Sequence, residues 1–498
     1  MDQVFDVVII GGGINGCGIA ADAAMRGLSV ILLEQGDLAS KTSSSSSKLI
    51  HGGLRYLEYY DFALVKKALH ERQLLLSLAP HLVYSLPFVL PYQQGMRPSW
   101  LLRTGLFLYD NLERKNKLPH SKLIRRNNHS PYFSPLANYF AKGFLFYDCA
   151  TDDARLTIAN ALQAKEYGAS IQTRVAVTNA TVQNNLWQLT AKKNSGKEER
   201  ISAKVLVNAT GPWVESFNKL SGIPSKFKMS LVKGSHIVVH KLYEGNHAYL
   251  LQNDDKRIIF IVPYHGYTMI GTTDVAFKGS LEEVCISTEE VNYLCNLVNN
   301  YFKCRVQRKD IINSWSGVRP LLAASGEELK ALSRDYTYDC TTSPAPALTV
   351  YGGKITTYRQ LALEAVNSLQ EFFPALGKSR TESIPLPGSI YENWSYKKYT
   401  TYAREKYYWL AESIIERYLT SYGTRTELVL SGCKDMSDLG LHFGNDLYQI
   451  EVDYLQKEEW ACDSDDILWR RTKLGLNFEL EQKQTLEDYC QQRLSLNN

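Results

Sequence analysis

The sequence predicts an α/β protein built from a discontinuous Rossmann-like dinucleotide-binding domain, an inserted β-rich domain and a C-terminal all-α domain. Three observations carry the prediction. The chain opens on strand, glycine-rich turn, helix, strand and acid. Two later segments, 205–213 and 350–357, again run from a buried strand into glycine. Beyond Pro385-Leu386-Pro387-Gly388 glycine thins out and long amphipathic helical patterns replace it. At 498 residues the chain exceeds a single compact core, so two or three domains are expected.

Asp6-Val7-Val8-Ile9-Ile10 reads as a short buried strand and runs directly into Gly11-Gly12-Gly13-Ile14-Asn15-Gly16. An alanine-rich helix follows through Ala20, Ala21, Ala23 and Ala24 to Arg26-Gly27. The strand Val30-Ile31-Leu32-Leu33 comes next and Glu34 closes it. This is the dinucleotide fingerprint in its full context rather than an ordinary glycine turn. Gly11 permits the tight turn, Gly13 lets the backbone approach a pyrophosphate, and Gly16 lets helix and strand pack closely. N–H groups at the helix start favour phosphate charge. Glu34 is placed to accept hydrogen bonds from an adenosine ribose, and its charge disfavours a 2′-phosphate, which argues against NADP. The fingerprint alone leaves FAD and NAD both open.

Residues from about Tyr59 to Leu78 carry apolar side chains at helical spacing, and Pro80, Pro87 and Pro91 end that pattern. Asp152-Asp153-Ala154-Arg155 opens another helix, with Gly168 as its expected C-cap. Strand patterns run through Ile171 to Leu189, Lys204 to Val207, Leu231 to Asp274 and Ala345 to Tyr351, and a helix is expected from about Thr357 to Phe373. The run Ser43 to Ser47 has the composition of a flexible linker. A linker has no purpose between a dinucleotide strand and the next dense motif, so a structured loop is expected there.

Val205-Leu206-Val207-Asn208-Ala209-Thr210-Gly211-Pro212-Trp213 suits a strand that returns to the nucleotide fold of a flavoenzyme, with its glycine beside the cofactor. Alone it is also a plain strand-to-turn transition. Val350-Tyr351-Gly352-Gly353-Lys354-Ile355-Thr356-Thr357 repeats strand, Gly-Gly, helix. A helix N-terminus aimed at a flavin ring stabilises the negative charge of the reduced flavin. Three separated pieces imply a discontinuous FAD-binding domain at 1–80, 145–215 and 345–385. The substrate-binding, membrane-facing insertion takes 81–144 and 216–344, and the helical domain takes 389–498.

Gly11 to Gly18, the run Thr42 to Glu58 with its Ser-Ser-Lys-Leu-Ile-His-Gly-Gly-Leu-Arg-Tyr core, and Asn208 to Trp213 resemble the FAD-dependent glycerol-3-phosphate dehydrogenases. So do Lys233-Gly234-Ser235-His236, Gly271-Thr272-Thr273-Asp274, Ser316-Gly317-Val318-Arg319-Pro320, Arg334-Asp335-Tyr336-Thr337, Gly352 to Arg359 and Leu468-Trp469-Arg470-Arg471-Thr472-Lys473. The resemblance covers essentially the whole chain and is closest to the bacterial, respiratory, membrane-associated form.

That resemblance implies non-covalent FAD held by Gly11, Gly13, Ile14, Asn15, Gly16, Glu34, Ser46, Ser47, Lys48, His51, Gly52, Gly53, Ala209, Thr210, Gly211, Gly353, Lys354 and Thr356. It implies oxidation of sn-glycerol 3-phosphate to dihydroxyacetone phosphate, the C2 hydroxyl losing a proton while the C2 hydride passes to flavin N5. A phosphate dianion calls for guanidinium groups, and Arg55, Arg319 and Arg334 each sit in a family motif. Tyr56 and Thr273 complete the expected substrate set. The catalytic set is His51, Lys354 and Arg319, with the proton acceptor open between His51 and Lys354. His236 is a weaker candidate because core histidines are common, and for His51 the alternative is an imidazole that only packs or hydrogen-bonds beside the flavin.

Hydrophobic content of 44% and charged content of 22% are those of an ordinary soluble protein. The nine cysteines are odd in number and form no CxxC pair, which argues against a disulfide framework or a zinc site. Met1-Asp2-Gln3-Val4 has no basic region, so no signal peptide is expected, and no apolar run reaches the length of a membrane span. Between Arg97 and Arg126 lie eight bases and two acids, a local +6 against +4 for the whole chain. No nucleic-acid motif accompanies the patch, so nucleic acid is not expected as a partner. Trp100 to Tyr109 lies inside it, and aromatic and leucine residues flanked by bases suit an anionic membrane interface, with a buried helix as the alternative.

The resemblance implies ubiquinone as electron acceptor and peripheral attachment to the cytoplasmic face of the inner membrane, and it leaves a homodimer open. The nearest rival is a glycerol-3-phosphate oxidase that uses O2 and makes hydrogen peroxide. Further off stand an amine-oxidising flavoprotein of the same superfold, which the arginines do not suit, and a nucleotide-binding scaffold without turnover.

Overall fold

The computed structural model describes residues 3–93, 97–127, 130–253, 257–322 and 335–497; the side chains of Arg55, Glu58, Tyr59 and residues 494–497 lie outside that description. Two large sheets and a helical domain organise these residues. The first sheet runs in the order Thr337–Thr341, Ala347–Tyr351, Glu198–Asn208, Val4–Ile10, Val30–Glu34, Ser170–Thr173, and the hairpin of Val175–Gln183 and Leu186–Lys193 extends it. Val4–Ile10 pairs in parallel with Val30–Glu34 on one side and Glu198–Asn208 on the other. Parallel pairing needs a crossover, and Ile14–Met25 supplies it between the first two strands.

That helix is buried almost throughout because small residues cover it. Its neighbour, the helix Tyr358–Asn367, approaches so closely that a Cβ on Gly18 would lie 2.9 Å from the Tyr358 ring. Val7, Ile9, Ile19, Leu32, Ile158 and Leu361 close the core on this face, and Val8, Ile31, Trp187 and Leu206 close the other. Fully burying an aliphatic side chain of this size contributes about 2 kcal/mol.

The second sheet holds Met229–Val239, Tyr267–Gly271, Ile258–Tyr264, Ala248–Gln252, Val83–Tyr92, Lys142–Thr151 and Leu49–Ile50 in that order, with Ile311–Leu322 beside Met229–Val239. The helix Thr288–Tyr301, started by a Ser287/Glu290 capping box, covers one face through Val291, Leu294 and Val298. Sheet membership cuts across two expected boundaries. Lys142–Thr151 pairs along its length with Val83–Tyr92, and the chain returns to the first domain only at the helix Asp153–Glu166. Thr337–Thr341 pairs antiparallel with Ala347–Tyr351 in the first sheet.

The helix expected over Tyr59 to Leu78 spans Phe62–Leu78, capped by the Asp61 carboxylate on the Leu64 N–H, and a 3-10 segment Leu54–Tyr59 precedes it. Gly168 follows the end of Asp153–Glu166 with φ +91°. Beyond residue 389 the chain is helical around a core that includes Tyr399, Ile414, Tyr418, Val452, Leu455 and Leu468, with one small hairpin, His442–Gly444 and Leu447–Tyr448.

Candidate functional site

A cavity of about 530 Å³ lies between the two sheets, and the glycine fingerprint opens onto it. At Gly11 φ is +112° and a Cβ would lie 2.6 Å from the Ala209 carbonyl oxygen, so the first strand and the Ala-Thr-Gly strand meet only through glycine there. A Cβ on Gly16 would fall 1.9 Å from the Gly11 oxygen, which places Gly16 in the helix–strand contact rather than on the cavity wall. The helix Ile14–Met25 starts at the cavity with no side-chain cap on Gly13. Glu34 accepts hydrogen bonds from the N–H groups of Gly12 (2.6 Å) and Gly36 (2.7 Å), and burial pushes its carboxyl above the usual range against those donors.

Every serine of the run is hydrogen-bonded. Ser43 Oγ accepts from the Ile14 N–H at 3.0 Å. Ser44 and Ser45 donate to the Lys41 carbonyl. Ser46 donates to Asp153 at 2.7 Å, and Ser47 lies 3.0 Å from His236 Nε2. Ser46 and Ser47 line the cavity, whereas Lys48 is turned away from it, paired at 2.8 Å with the buried carboxylate of Asp153 and lying over Trp315.

His51, Gly53, Tyr56, Arg319, Gly353, Lys354 and Thr356 line the same cavity as Gly11, Gly13, Ile14, Asn15, Ala209, Thr210 and Gly211. The His51 N–H donates to Thr356 Oγ1 at 3.4 Å, and its ring meets Phe260 edge-on at 5.8 Å. Lys354 Nζ lies over the Tyr56 ring at 4.1 Å. Gly52 sits behind this wall, its N–H donating to Tyr109 Oη at 2.8 Å; the Tyr109 hydroxyl in turn meets Asp148, which pairs with Arg72 at 2.6 Å. Arg55 lies in the 3-10 segment with its side chain outside the described set, and Arg334 lies outside the described residues.

Three of the motifs meet on neighbouring strands. The register places His236 opposite Gly271 and Gly234 opposite Gly317. A Cβ on Gly271 would lie 2.0 Å from the His236 ring, and one on Gly234 would lie 2.7 Å from Arg319 Nη2. These glycines leave the volume that His236 and Arg319 occupy. Arg319 donates to Asp274 at 2.6 Å and to Thr272 Oγ1 at 3.1 Å. Thr273 points the other way, donating to Glu290 at 2.7 Å and accepting from the Ser235 N–H. His236 stacks on Trp315, and burial, with Arg319 and Lys48 nearby, holds its pKa far below the ordinary imidazole range; it is not on the cavity wall. Thr272, Asp274, Phe260 and Asp148 are wall residues that motif reading did not single out. Their signal was present for the Gly-Thr-Thr-Asp pair alone.

The wall suits a flavin dinucleotide. Asn15 Oδ1 is buried at it without a hydrogen-bond partner among the described residues, while Asn15 Nδ2 is held by the Gly352 carbonyl at 3.2 Å. An orphaned acceptor beside an uncapped helix start is what a bound nucleotide with donor groups would satisfy. The Rossmann-like sheet, the fingerprint and this cleft define a dinucleotide-dependent redox fold.

Comparison with known proteins makes the class specific. The FAD dependent oxidoreductase family matches residues 6–359, and the C-terminal domain of alpha-glycerophosphate oxidase matches residues 379–495. The chain is 49% identical to a glycerol-3-phosphate dehydrogenase of Pseudomonas aeruginosa, covering 98% of this chain and 95% of that protein. It is 45% identical to the aerobic glycerol-3-phosphate dehydrogenase of Escherichia coli (strain K12), covering 99% of each. It is also 45% identical to a D-erythritol 1-phosphate dehydrogenase of Brucella abortus, over 95% of this chain and 94% of that one. The solved glycerol-3-phosphate dehydrogenase of Bacillus halodurans, complexed with FAD, shares the fold at a TM-score of 0.75 and 24% identity, over 99% of this chain and 95% of that one. The chain belongs to the FAD-dependent glycerol-3-phosphate dehydrogenase family.

Proposed function

We propose that this enzyme oxidises sn-glycerol 3-phosphate to dihydroxyacetone phosphate and delivers the electrons to ubiquinone at an anionic membrane surface. The observation that carries the reading is the meeting of His51, Lys354 and Arg319 on the wall that the glycine fingerprint also lines. Bound FAD would supply the acceptor, at N5, for the hydride leaving C2. Arg319 offers a guanidinium to the substrate phosphate, held in place by Asp274 and Thr272. Arg55 and Arg334 belong to the same expected phosphate set, with Tyr56 beside Lys354. His51, oriented through its backbone by Thr356, takes the C2 hydroxyl proton, with Lys354 as the competing base.

Peripheral membrane attachment is supported by the helix Ser99–Asn111. It buries Leu106 and Tyr109 and exposes Trp100 (68%), Leu101, Phe107 (63%) and Leu108 beside Arg103, within the basic patch. No helix among the described residues is long and apolar enough to cross a membrane. In this reading the enzyme sits on the cytoplasmic face of the inner membrane.

Anaerobic addition of glycerol 3-phosphate to the purified protein should bleach the flavin band, and a quinone analogue should restore it faster than air. Faster recovery in air would instead make the enzyme an oxidase, a reading kept open by the oxidase-type C-terminal match. Bleaching by D-erythritol 1-phosphate in preference to glycerol 3-phosphate would move the substrate to the longer polyol phosphate, and no bleaching by either would sink the donor assignment.

A further inference from the structure

The family motif near the C-terminus, Arg470-Arg471-Thr472-Lys473, does not touch the cavity. It touches the loops that do. Both terminal guanidinium nitrogens of Arg471 donate to the carboxylate of Asp37, and Arg470 donates to the same group; Arg471 and Asp37 are buried to 0% and 1% exposure. Asp37 stands three residues after Glu34. Between them the Gly36 N–H holds Glu34 Oε1 at 2.7 Å, and just beyond, the Ala39 N–H donates to the Gly12 carbonyl at 3.0 Å. Ala39 itself has φ +58°, a left-handed conformation that a non-glycine residue keeps only when its surroundings impose it.

Two further contacts pull in the same direction. Arg174 donates its backbone N–H to the Gly36 carbonyl at 2.9 Å and its guanidinium to Asp463 and Asp466 of the C-terminal domain. Lys473 pairs with Asp152, whose neighbour Asp153 holds the serine loop through Ser46 and Lys48.

We propose that the C-terminal domain retains the cofactor: Arg471, with Arg470, fixes Asp37 so that the loop after Glu34 stays closed over the adenosine half of FAD. Arg471 is thus a positioning residue that acts through Glu34. The inference rests on FAD binding alone and is independent of which phosphate ester or electron acceptor the enzyme uses. Ion pairs buried this completely leave an uncompensated charge when one partner is removed, so the contact is sensitive to single substitutions.

The test is FAD release from the holoenzyme, followed by the rise of free-flavin fluorescence after dilution. Arg471→Gln should release FAD at least tenfold faster than the unsubstituted enzyme. Arg425→Gln, which breaks a half-buried interdomain pair with Glu166 (2.8 Å) and a hydrogen bond to Tyr454 but touches neither loop, should stay within twofold. If Arg471 acts through Glu34, adding Arg471→Gln to Glu34→Gln should hardly accelerate release further, whereas a general loosening of the fold would multiply the two effects. Should Arg471→Gln fail to fold, Asp37→Asn removes the charge from the other side of the same contact and should release FAD at least fivefold faster. Release at the unsubstituted rate from a folded Arg471 or Asp37 variant would overturn the proposal. Equal acceleration by Arg425→Gln, or multiplicative effects with Glu34→Gln, would overturn it as well.

Discussion

Tyr109 joins the surface helix to the cavity wall, and Tyr109→Phe tests what that link does. Its hydroxyl is fully buried, accepts the Gly52 N–H at 2.8 Å and donates to Asp148. Phenylalanine removes only the oxygen, so no atom is added and the ring packing against Phe146 persists. The loss falls on two groups. The buried Gly52 N–H is left without an acceptor, which costs about 1–3 kcal/mol. Asp148 loses one donor but keeps Arg72 at 2.6 Å, so its share is about 1 kcal/mol. The expected destabilisation is therefore roughly 2–4 kcal/mol, read from urea unfolding of the variant against the unsubstituted enzyme. Gly52 directly follows His51, the proposed base, and a small displacement of a reacting group slows chemistry by about an order of magnitude or more. Stopped-flow reduction of the flavin by glycerol 3-phosphate should accordingly slow about tenfold with FAD still bound. A stability change below about 0.5 kcal/mol together with an unchanged reduction rate would show that Tyr109 neither holds Gly52 nor orients His51.

Other expectations follow from single contacts. His81 is buried where the first domain meets the C-terminal one, 3.4 Å from Ser389 Oγ, and burial, helped by the positive charge of Arg155, lowers its pKa from 6.5 to about 3. The unfolded chain takes up this proton below pH 6.5 and the folded one does not until about pH 3. Stability therefore falls with pH across that window, by about 2 kcal/mol between pH 6.5 and 5, and a folded His81→Asn variant should lack that component in denaturation curves at the two pH values. Arg319→Ala removes the proposed phosphate partner together with its ion pair to Asp274 at the wall; KM for glycerol 3-phosphate should rise about 10–100-fold with a smaller change in kcat, and an unaltered KM would remove Arg319 from the phosphate site. His51→Ala should slow flavin reduction by about 10²–10⁴-fold without loss of FAD, and unchanged reduction kinetics would hand the base role to Lys354. Replacing Trp100 and Phe107 together by serine should weaken co-sedimentation with anionic liposomes while leaving reduction by substrate intact; undiminished binding would place the membrane contact elsewhere.

The fold class and the dinucleotide site were legible in the chain because both depend on local chemistry. A strand, a glycine turn, a helix and a terminal acid lie within consecutive residues, so Val4–Ile10, Ile14–Met25, Val30–Glu34 and the class they define could be read directly. The motifs likewise marked which segments carry chemistry. They did not say which side chains within them face the cavity. Thr273 lies between two wall residues in the link between Tyr267–Gly271 and Val275–Ala276, yet points to Glu290, because its hydroxyl donates to that buried carboxylate and accepts from the Ser235 N–H. Lys48 sits in the densest motif and is turned inward by Asp153, more than a hundred residues away.

Partners distant in sequence explain the rest. Lys142–Thr151 has the apolar run of any buried strand, and nothing local says which of two sheets it joins; its pairing with Val83–Tyr92 decides that. The same holds for the glycine holes, where Gly234 and Gly271 make room for Arg319 and His236 only because the register sets those strands side by side. It holds most fully for Asp37 and Arg471, which are separated by nearly the whole chain. Local chain geometry selects elements and presents functional groups. The facing of each group, its charge partner and the volume left for it belong to contacts between segments, and these exist only once the sheets and the helical domain have packed together.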